Sequence, residues 1–328
     1  MNDSSGYRGL LFPGAGHFQT IAPAFLRRVP LPPYQRERIS TPDDDFLDLD
    51  WLKVGGKSLV IVLHGLEGST SSTYIRGMCR ALTTYGLDVL AWNLRSCSGE
   101  INRALRFYHS GETSDMSVVI DHVLRTSDYQ KIALIGYSAG GNITLKYLGE
   151  LGDAVSDRIV TALTFSVPCD LRASSEELAK LHKRFYTQWF LKDLRQKVRL
   201  KMELWPGELD DHGMDKMSTF REFDDRYTAP LHGFRDAEDY WARASSKPWL
   251  PSIRIPTLLI NAADDPFLAR ECYPFQEAES SSFFSLEVPR RGGHVGFISL
   301  NKNSLFWSER RALEYLGEYL EFSSFNPQ

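Results

Sequence analysis

The chain is short of the features that mark several protein classes. It has four cysteines in 328 residues, Cys79, Cys97, Cys169 and Cys272, and no two of them form a C-x-x-C pair. That excludes the usual thiol-rich zinc sites and dithiol redox motifs, and it fits a reducing cytoplasm better than secretion. No apolar run approaches the ~20 residues of a membrane-spanning helix. Met1-Asn2-Asp3-Ser4-Ser5 has no basic stretch leading into an apolar core, so a signal peptide is not expected. A net charge of −4 gives no electrostatic footprint for nucleic acid. There is no internal repeat and no low-complexity segment. With 42% hydrophobic and 24% charged residues the composition is that of an ordinary globular protein. A soluble protein follows, and these numbers leave peripheral membrane contact open and oligomeric state unread.

What is present is an alternation of apolar strands with amphipathic segments. Ser58–Leu63 is a continuous apolar run, as in a strand covered on both faces. Further strands are expected at 47–52, 88–93, 131–135, 160–165, 256–261 and 282–288, with the first half-exposed because Asp48 and Asp50 alternate with apolar residues. Helical spacing is expected at 71–85, 112–126, 142–148 and 304–322. Strands that alternate with helices predict a mostly parallel central sheet with helices on both faces. The series is interrupted from 170 to 247 by a mainly helical stretch, which reads as a cap over the site. The proline-rich residues 1–40 read as an extended arm. The core is then 41–169 together with 248–328.

Chemistry is carried by Gly136-Tyr137-Ser138-Ala139-Gly140. This is G-x-S-x-G between an apolar strand and a helix, the setting of a nucleophile elbow. The small residues permit a strained turn that lifts the serine Oγ clear of the sheet, and the helix N-terminus faces the place where an oxyanion forms. A serine needs a base and the base an orienting acid. His294, in Gly292-Gly293-His294, follows the last strand and supplies the base. Asp264 and Asp265 both follow the strand before it. Asp265 is favoured because Pro266 fixes the backbone as the loop departs, which leaves Asp264 to bond its own loop's amides as an Asx turn. The chain order Ser138, Asp265, His294 is a known triad order. Oxyanion donors are assigned to the N–H groups of Ala139 and of Leu66, the latter in the loop His64-Gly65-Leu66-Glu67-Gly68-Ser69. His64 reads as a brace for that loop beside the substrate pocket. His109 is a candidate pocket residue, though a structural polar network explains it at least as well. Phe185 and Trp189, in the aromatic stretch 185–191, are candidates to line an acyl pocket or to dock the cap. Nothing beside Cys97 supplies a base, so its thiol reads as inert.

These segments, with His17-Phe18-Gln19-Thr20-Ile21, Asn93 to Glu100, Tyr108 to Thr113 and Phe223 to Phe234, together resemble the YheT-like branch of the α/β-hydrolase superfamily, relatives of ABHD-type esterases and lipases. The resemblance implies the α/β-hydrolase fold, a triad of Ser138, Asp265 and His294, and ester substrates, often acyl lipids. Two positions depart from the family pattern. Ser96 stands where Arg-Gly-Cys is usual, and Ala139 where Ser-Leu is usual. The function that follows is cleavage of small-molecule or lipid carboxylic esters, of short to medium acyl length, through an acyl-enzyme. It needs no metal or organic cofactor. An O-acyltransferase or thioesterase would use the same intermediate, and a catalytically silent binding protein on the same fold is the non-enzyme alternative.

Overall fold

The computed structural model describes residues 6, 7, 9, 10, 12, 14–299 and 305–322. Among the described residues, eight strands form one sheet in the order β1-β2-β4-β3-β5-β6-β7-β8. They are β1 (Gln35–Ser40), β2 (Phe46–Leu52), β3 (Ser58–Leu63), β4 (Asp88–Asn93), β5 (Lys131–Tyr137), β6 (Ile159–Phe165), β7 (Thr257–Ile260) and β8 (Phe284–Glu287). β2 runs antiparallel to both β1 and β4, and every other pairing is parallel. The expected mostly parallel sheet is therefore present.

The helices are α1 (Ala15–Leu26), α2 (Thr73–Thr84), α3 (Thr113–Thr126), α4 (Ala139–Leu151), α5 (Leu171–Leu178), α6 (Arg184–Leu204), α7 (Phe220–Phe223), α8 (Ala229–Leu231), α9 (Ala237–Ala244), α10 (Phe275–Glu279) and α11 (Trp307–Leu316). β3 shows how both faces are covered. Leu59, Ile61 and Leu63 join Val119, Ile120 and Leu148 of α3 and α4 in one core layer. Val60 and Val62 join Met78, Leu82 and Leu313 of α2 and α11 in the other. A strand with two apolar neighbours must be apolar at every position, which is why the run is unbroken.

Three expectations change. β2 is buried along its whole length rather than on one face. Its aspartates lie opposite arginines of β1, Arg38 on Asp48 (2.7 Å) and Arg36 on Asp50 (2.8 Å), and Thr70 and Asn93 complete the bonding of Asp50. Paired carboxylates can be buried where lone ones cannot. The first forty residues are not simply extended, because α1 and β1 lie within them. Pro23 sits inside α1, and packing outweighs its propensity: the Tyr7 hydroxyl and the Ile298 N–H both donate to Gln19 Oε1 (2.7 and 3.1 Å). The last helix is shorter than 304–322, and Ser304 lies outside the described residues. The stretch between β6 and β7 contains helices and no strand among its described residues, and a π-helical turn, Asp224–Thr228, joins α7 to α8.

Candidate active site

Ser138 follows β5 and opens α4 with φ 50° and ψ −121°. A non-glycine residue is seldom held there, and the strain must be carried by its surroundings. Two close approaches carry it. A Cβ on Gly140 would lie 2.3 Å from the His64 carbonyl, so α4 reaches the end of β3 only through glycine. A Cβ on Gly65 would lie 2.9 Å from Ser138 Cβ, which brings the loop after β3 against the serine. Buried Asn142, one turn into α4, locks the helix start. Its Nδ2 donates to the Ser110 and Ala244 carbonyls (2.7 and 2.8 Å), and its Oδ1 accepts from the Ser246 N–H (2.9 Å).

The loops after β7 and β8 meet Ser138 in the order the sequence suggests. His294 Nε2 lies 3.0 Å from Ser138 Oγ. His294 Nδ1 lies 2.9 Å from Asp265 Oδ2 and 3.1 Å from Oδ1. Asp265 and His294 are both buried. The Asx turn belongs to Asp265 itself, whose Oδ1 accepts the Phe267 N–H at 2.9 Å. Asp264 instead accepts the Gly293 N–H at 2.9 Å, across to the loop that carries His294. Burial raises the Asp264 pKa, opposed by that N–H and by Arg291. Thr20 of α1 holds the same loop by accepting the His294 N–H (2.9 Å), and the Phe267 ring stacks on the imidazole at 4.0 Å. Thr20 and Phe267 were not singled out from sequence. Thr20 lies in the His17–Ile21 segment, whose only signal was its place in the resemblance.

Leu66 and Ala139 border the same cavity as Ser138 and His294. Among the described residues neither backbone N–H donates to a protein acceptor, whereas Gly65 N–H donates to Tyr74 and Glu67 N–H to Tyr108. The loop is clamped on both sides of Leu66. Glu67, at φ 52°, accepts from Tyr108 (2.8 Å) and from Lys197 of α6 (2.8 Å). Lys197 also donates to Cys97 Sγ (3.1 Å) and lies over the Tyr108 ring. Burial alone would lower the lysine pKa, but the Cys97 sulfur and the Glu67 carboxylate outweigh it and raise it. Burial pushes the Cys97 thiol up to about 11, consistent with an unreactive sulfur. Ser96 has φ 64°, and its hydroxyl donates to Asn102 Oδ1 at 2.5 Å.

The cavity holds about 780 Å³ of atom-free space, part of it open to solvent. Its walls come from α5 (Leu171, Leu178), α6 (Phe190, Leu194), Phe220 and Trp241. His109 borders it and also sits in a polar and aromatic cluster: Nδ1 accepts the Gly111 N–H (3.1 Å) and Nε2 faces Glu112 (3.4 Å). Burial lowers its pKa to about 3. His64 lies behind the loop and does not line the cavity. Its Nδ1 donates to the Gly65 carbonyl (2.7 Å), its Nε2 accepts the Leu94 N–H (3.1 Å), and burial lowers its pKa to about 4, so it is a neutral brace. Phe185 and Trp189 lie outside the cavity and are half exposed, because the inward face of α6 is formed by Phe190 and Leu194. Asp224, which sequence reasoning did not single out, borders the cavity with its Oδ2 bonded to Trp241 Nε1 at 2.9 Å. Burial raises its pKa to about 7, opposed by Thr228 and Trp241. No group of three or more His, Cys, Asp or Glu side chains among the described residues is arranged to hold a metal ion.

Residues 58–299 match the family model described as alpha/beta hydrolase fold. The chain is 36% identical to the Escherichia coli (strain K12) protein YheT over 94% of this chain and 92% of that protein. It is 30% identical to phospholipase ABHD3 of Homo sapiens over 86% of this chain and 71% of that protein. The Pyrococcus furiosus esterase Pf2001 shares the fold at a TM-score of 0.59 and 17% identity, covering 88% of this chain and 93% of that one. An elbow serine on a mostly parallel sheet, matched along nearly the whole chain, places this protein in the alpha/beta hydrolase fold family, in its YheT-like branch.

Proposed function

We propose that this protein is a serine esterase that cleaves carboxylic esters through an acyl-enzyme, with Ser138 as nucleophile, His294 as general base and acid, and Asp265 as orienter. The observation that carries the reading is the continuous path of hydrogen-bond distances from Asp265 through His294 to Ser138, ending in an apolar-walled cavity. Ser138 Oγ attacks the ester carbonyl while its proton passes to His294 Nε2. The leaving alkoxide takes that proton as the C–O bond breaks, leaving the acyl group on Ser138. Water then attacks the acyl carbon, His294 accepts its proton, and the proton returns to Ser138 Oγ as the acid departs. The Leu66 and Ala139 N–H groups stabilise the oxyanion in both steps. Asp265 holds Nδ1–H and balances the imidazolium. Residues 170–247 act as the cap, and 41–169 with 248–328 as the catalytic core.

Relatives named phospholipase and monoacylglycerol lipase support ester substrates. The apolar walls favour short- to medium-chain acyl esters or lipids over highly charged ones. The test is a rate series on esters of increasing acyl length with wild type and Ser138→Ala. The proposal expects hydrolysis that peaks at one chain length and falls by about 10⁶-fold in the variant. Full activity in Ser138→Ala would refute it. An acyl-enzyme discharged by added alcohol but not by water would make the protein a transferase.

A further inference from the structure

α1 and the start of α6 place their large apolar side chains outward on one side of the protein. On α1 the exposed residues Phe18, Ile21 and Phe25 recur at helical spacing, with Leu26 77% exposed beside them, while Ala15, Gly16 and Gln19 face inward. On α6 Phe185 and Trp189 recur one turn apart, with Leu181 80% exposed just before the helix. The two stripes are one surface. The Phe25 ring meets the Trp189 ring edge-on at 5.2 Å, and Phe12 meets Phe18 at 5.5 Å. Eight of the fourteen large apolar side chains most exposed in the described residues lie here: Phe12, Phe18, Ile21, Phe25, Leu26, Leu181, Phe185 and Trp189. Apolar side chains scattered singly need no explanation, but a contiguous patch of this kind does.

The two stretches that build the patch carry charge of one sign, with the carboxylates of Glu177, Asp193 and Glu309 at their borders. Neither 14–34 nor 178–192 contains an aspartate or glutamate, in a chain that has 42 of them. The same stretches carry Arg27, Arg28, Lys180, Lys183, Arg184 and Lys192. Arg27 pairs with Glu309, and Lys180 and Lys183 share Glu177; Arg28, Arg184 and Lys192 are exposed within the same stretches, Lys192 with Asp193 nearby. A protein partner would have to match both the rings and the cations. A lipid surface with anionic headgroups matches both without further specification, since rings enter the headgroup boundary and basic side chains meet phosphate.

The patch also has a short physical route to the reaction site. His17 of α1 stacks on Tyr186 and its Nδ1 lies 3.0 Å from that hydroxyl. Tyr186 meets Phe267 at 4.7 Å, and Phe267 is the ring stacked on His294. Phe190, adjacent to Trp189, lines the cavity.

We propose that the face built from Phe18, Phe25, Leu26, Leu181 and Trp189, rimmed by Arg28, Arg184 and Lys192, docks this protein on an anionic lipid surface. The proposal concerns binding alone and does not depend on the esterase reading. The full chain is sedimented with vesicles of phosphatidylcholine alone and of equal parts phosphatidylcholine and phosphatidylglycerol. Phe25→Glu/Leu26→Glu removes the two outermost α1 side chains, and Arg28→Glu/Arg184→Glu reverses two rim charges. The proposal expects binding to the mixed vesicles, weakened by salt, and a loss of about tenfold or more in each double variant. Hydrolysis of a dissolved short ester and the thermal midpoint should stay near wild type in both variants. Wild type that remains in the supernatant with the mixed vesicles overturns the proposal. So does equal binding by the variants. A dimer in gel filtration that Phe25→Glu/Leu26→Glu dissociates overturns it as well, because a second copy then covers the face.

Discussion

Lys197→Met tests the link between α6 and the loop that carries Leu66. The substitution keeps an unbranched stem and removes the cation. Wild-type Lys197 and Glu67 have side chains 10% and 4% exposed and are 2.8 Å apart. Without the ammonium, Glu67 keeps the Tyr108 hydroxyl, at 2.8 Å, as its one side-chain partner among the described residues, in a buried setting. Removing one member of a buried pair costs about 3–5 kcal/mol, because the remaining charge is left uncompensated. In urea titration that loss should appear as a lower midpoint with an unchanged slope. The second substitution matters more. Lys197→Met/Glu67→Gln removes both charges and should recover most of the lost stability, a coupling of about 2 kcal/mol or more. Kinetics on a dissolved ester give an independent readout. Glu67 adjoins Leu66, and a full oxyanion donor is worth about 10²–10³ in kcat. A loosened donor should lower kcat by a fraction of that with KM little changed. Strictly additive single and double variants, or a Lys197→Met loss below about 1 kcal/mol, would refute a buried latch. A change confined to KM would place Lys197 in substrate binding instead.

The two aspartates of the β7 loop should separate in kinetics: Asp265→Asn lowers kcat by about 10³–10⁴, as loss of a triad carboxylate does, whereas Asp264→Asn, which disturbs the Gly293 and Arg291 contacts and not the imidazole, costs far less. Equal losses would show that loop position, not the carboxylate facing Nδ1, is what matters. Asp224 gives a pH prediction. Its folded pKa of about 7 lies above the ordinary 3.8, with burial the main cause, Asp225 adding to it and Thr228 and Trp241 opposing. The folded state therefore holds a proton that the unfolded state has released, and this group's contribution to stability falls as pH rises from about 4 to about 7. At about 1.4 kcal/mol per pH unit the fall amounts to ~4 kcal/mol at most. Asp224→Asn has no such slope, so its stability relative to wild type should climb across that window and level off above it, measured by urea titration at a series of pH values. A constant difference would contradict an uncharged buried carboxyl.

Much of the sheet and of the cluster of Ser138, Asp265 and His294 was legible from local pattern. Leu59–Leu63 and Ile132–Ile135 of the elbow strand are apolar at every position because both faces are covered, and a serine on a strand-to-helix turn leaves a compact signature in five residues. The loops of Asp265 and His294 followed from strand order. What was not legible depends on contacts between distant segments. α1 forms despite Pro23 because Gln19 and Thr20 bond residues near 298 and 294. The aspartates of β2 looked solvent-facing until the arginines of β1 came across them. Asp264 reaches over to Gly293, which spacing within its own loop could not reveal. Phe185 and Trp189 had the composition of an acyl pocket, but α6 turns its other face inward, and a rotation of one residue decides that. The latch joining Glu67 to Lys197 spans 130 positions and has no local signature.

The central claim is that Ser138 is activated by His294. Incubation with a fluorophosphonate probe, followed by peptide mass spectrometry, measures it directly. The account predicts one labelled residue, Ser138, and a labelling rate that collapses in His294→Ala while the fold persists. Absence of label, label on another serine, or undiminished labelling of Ser138 in His294→Ala would contradict it.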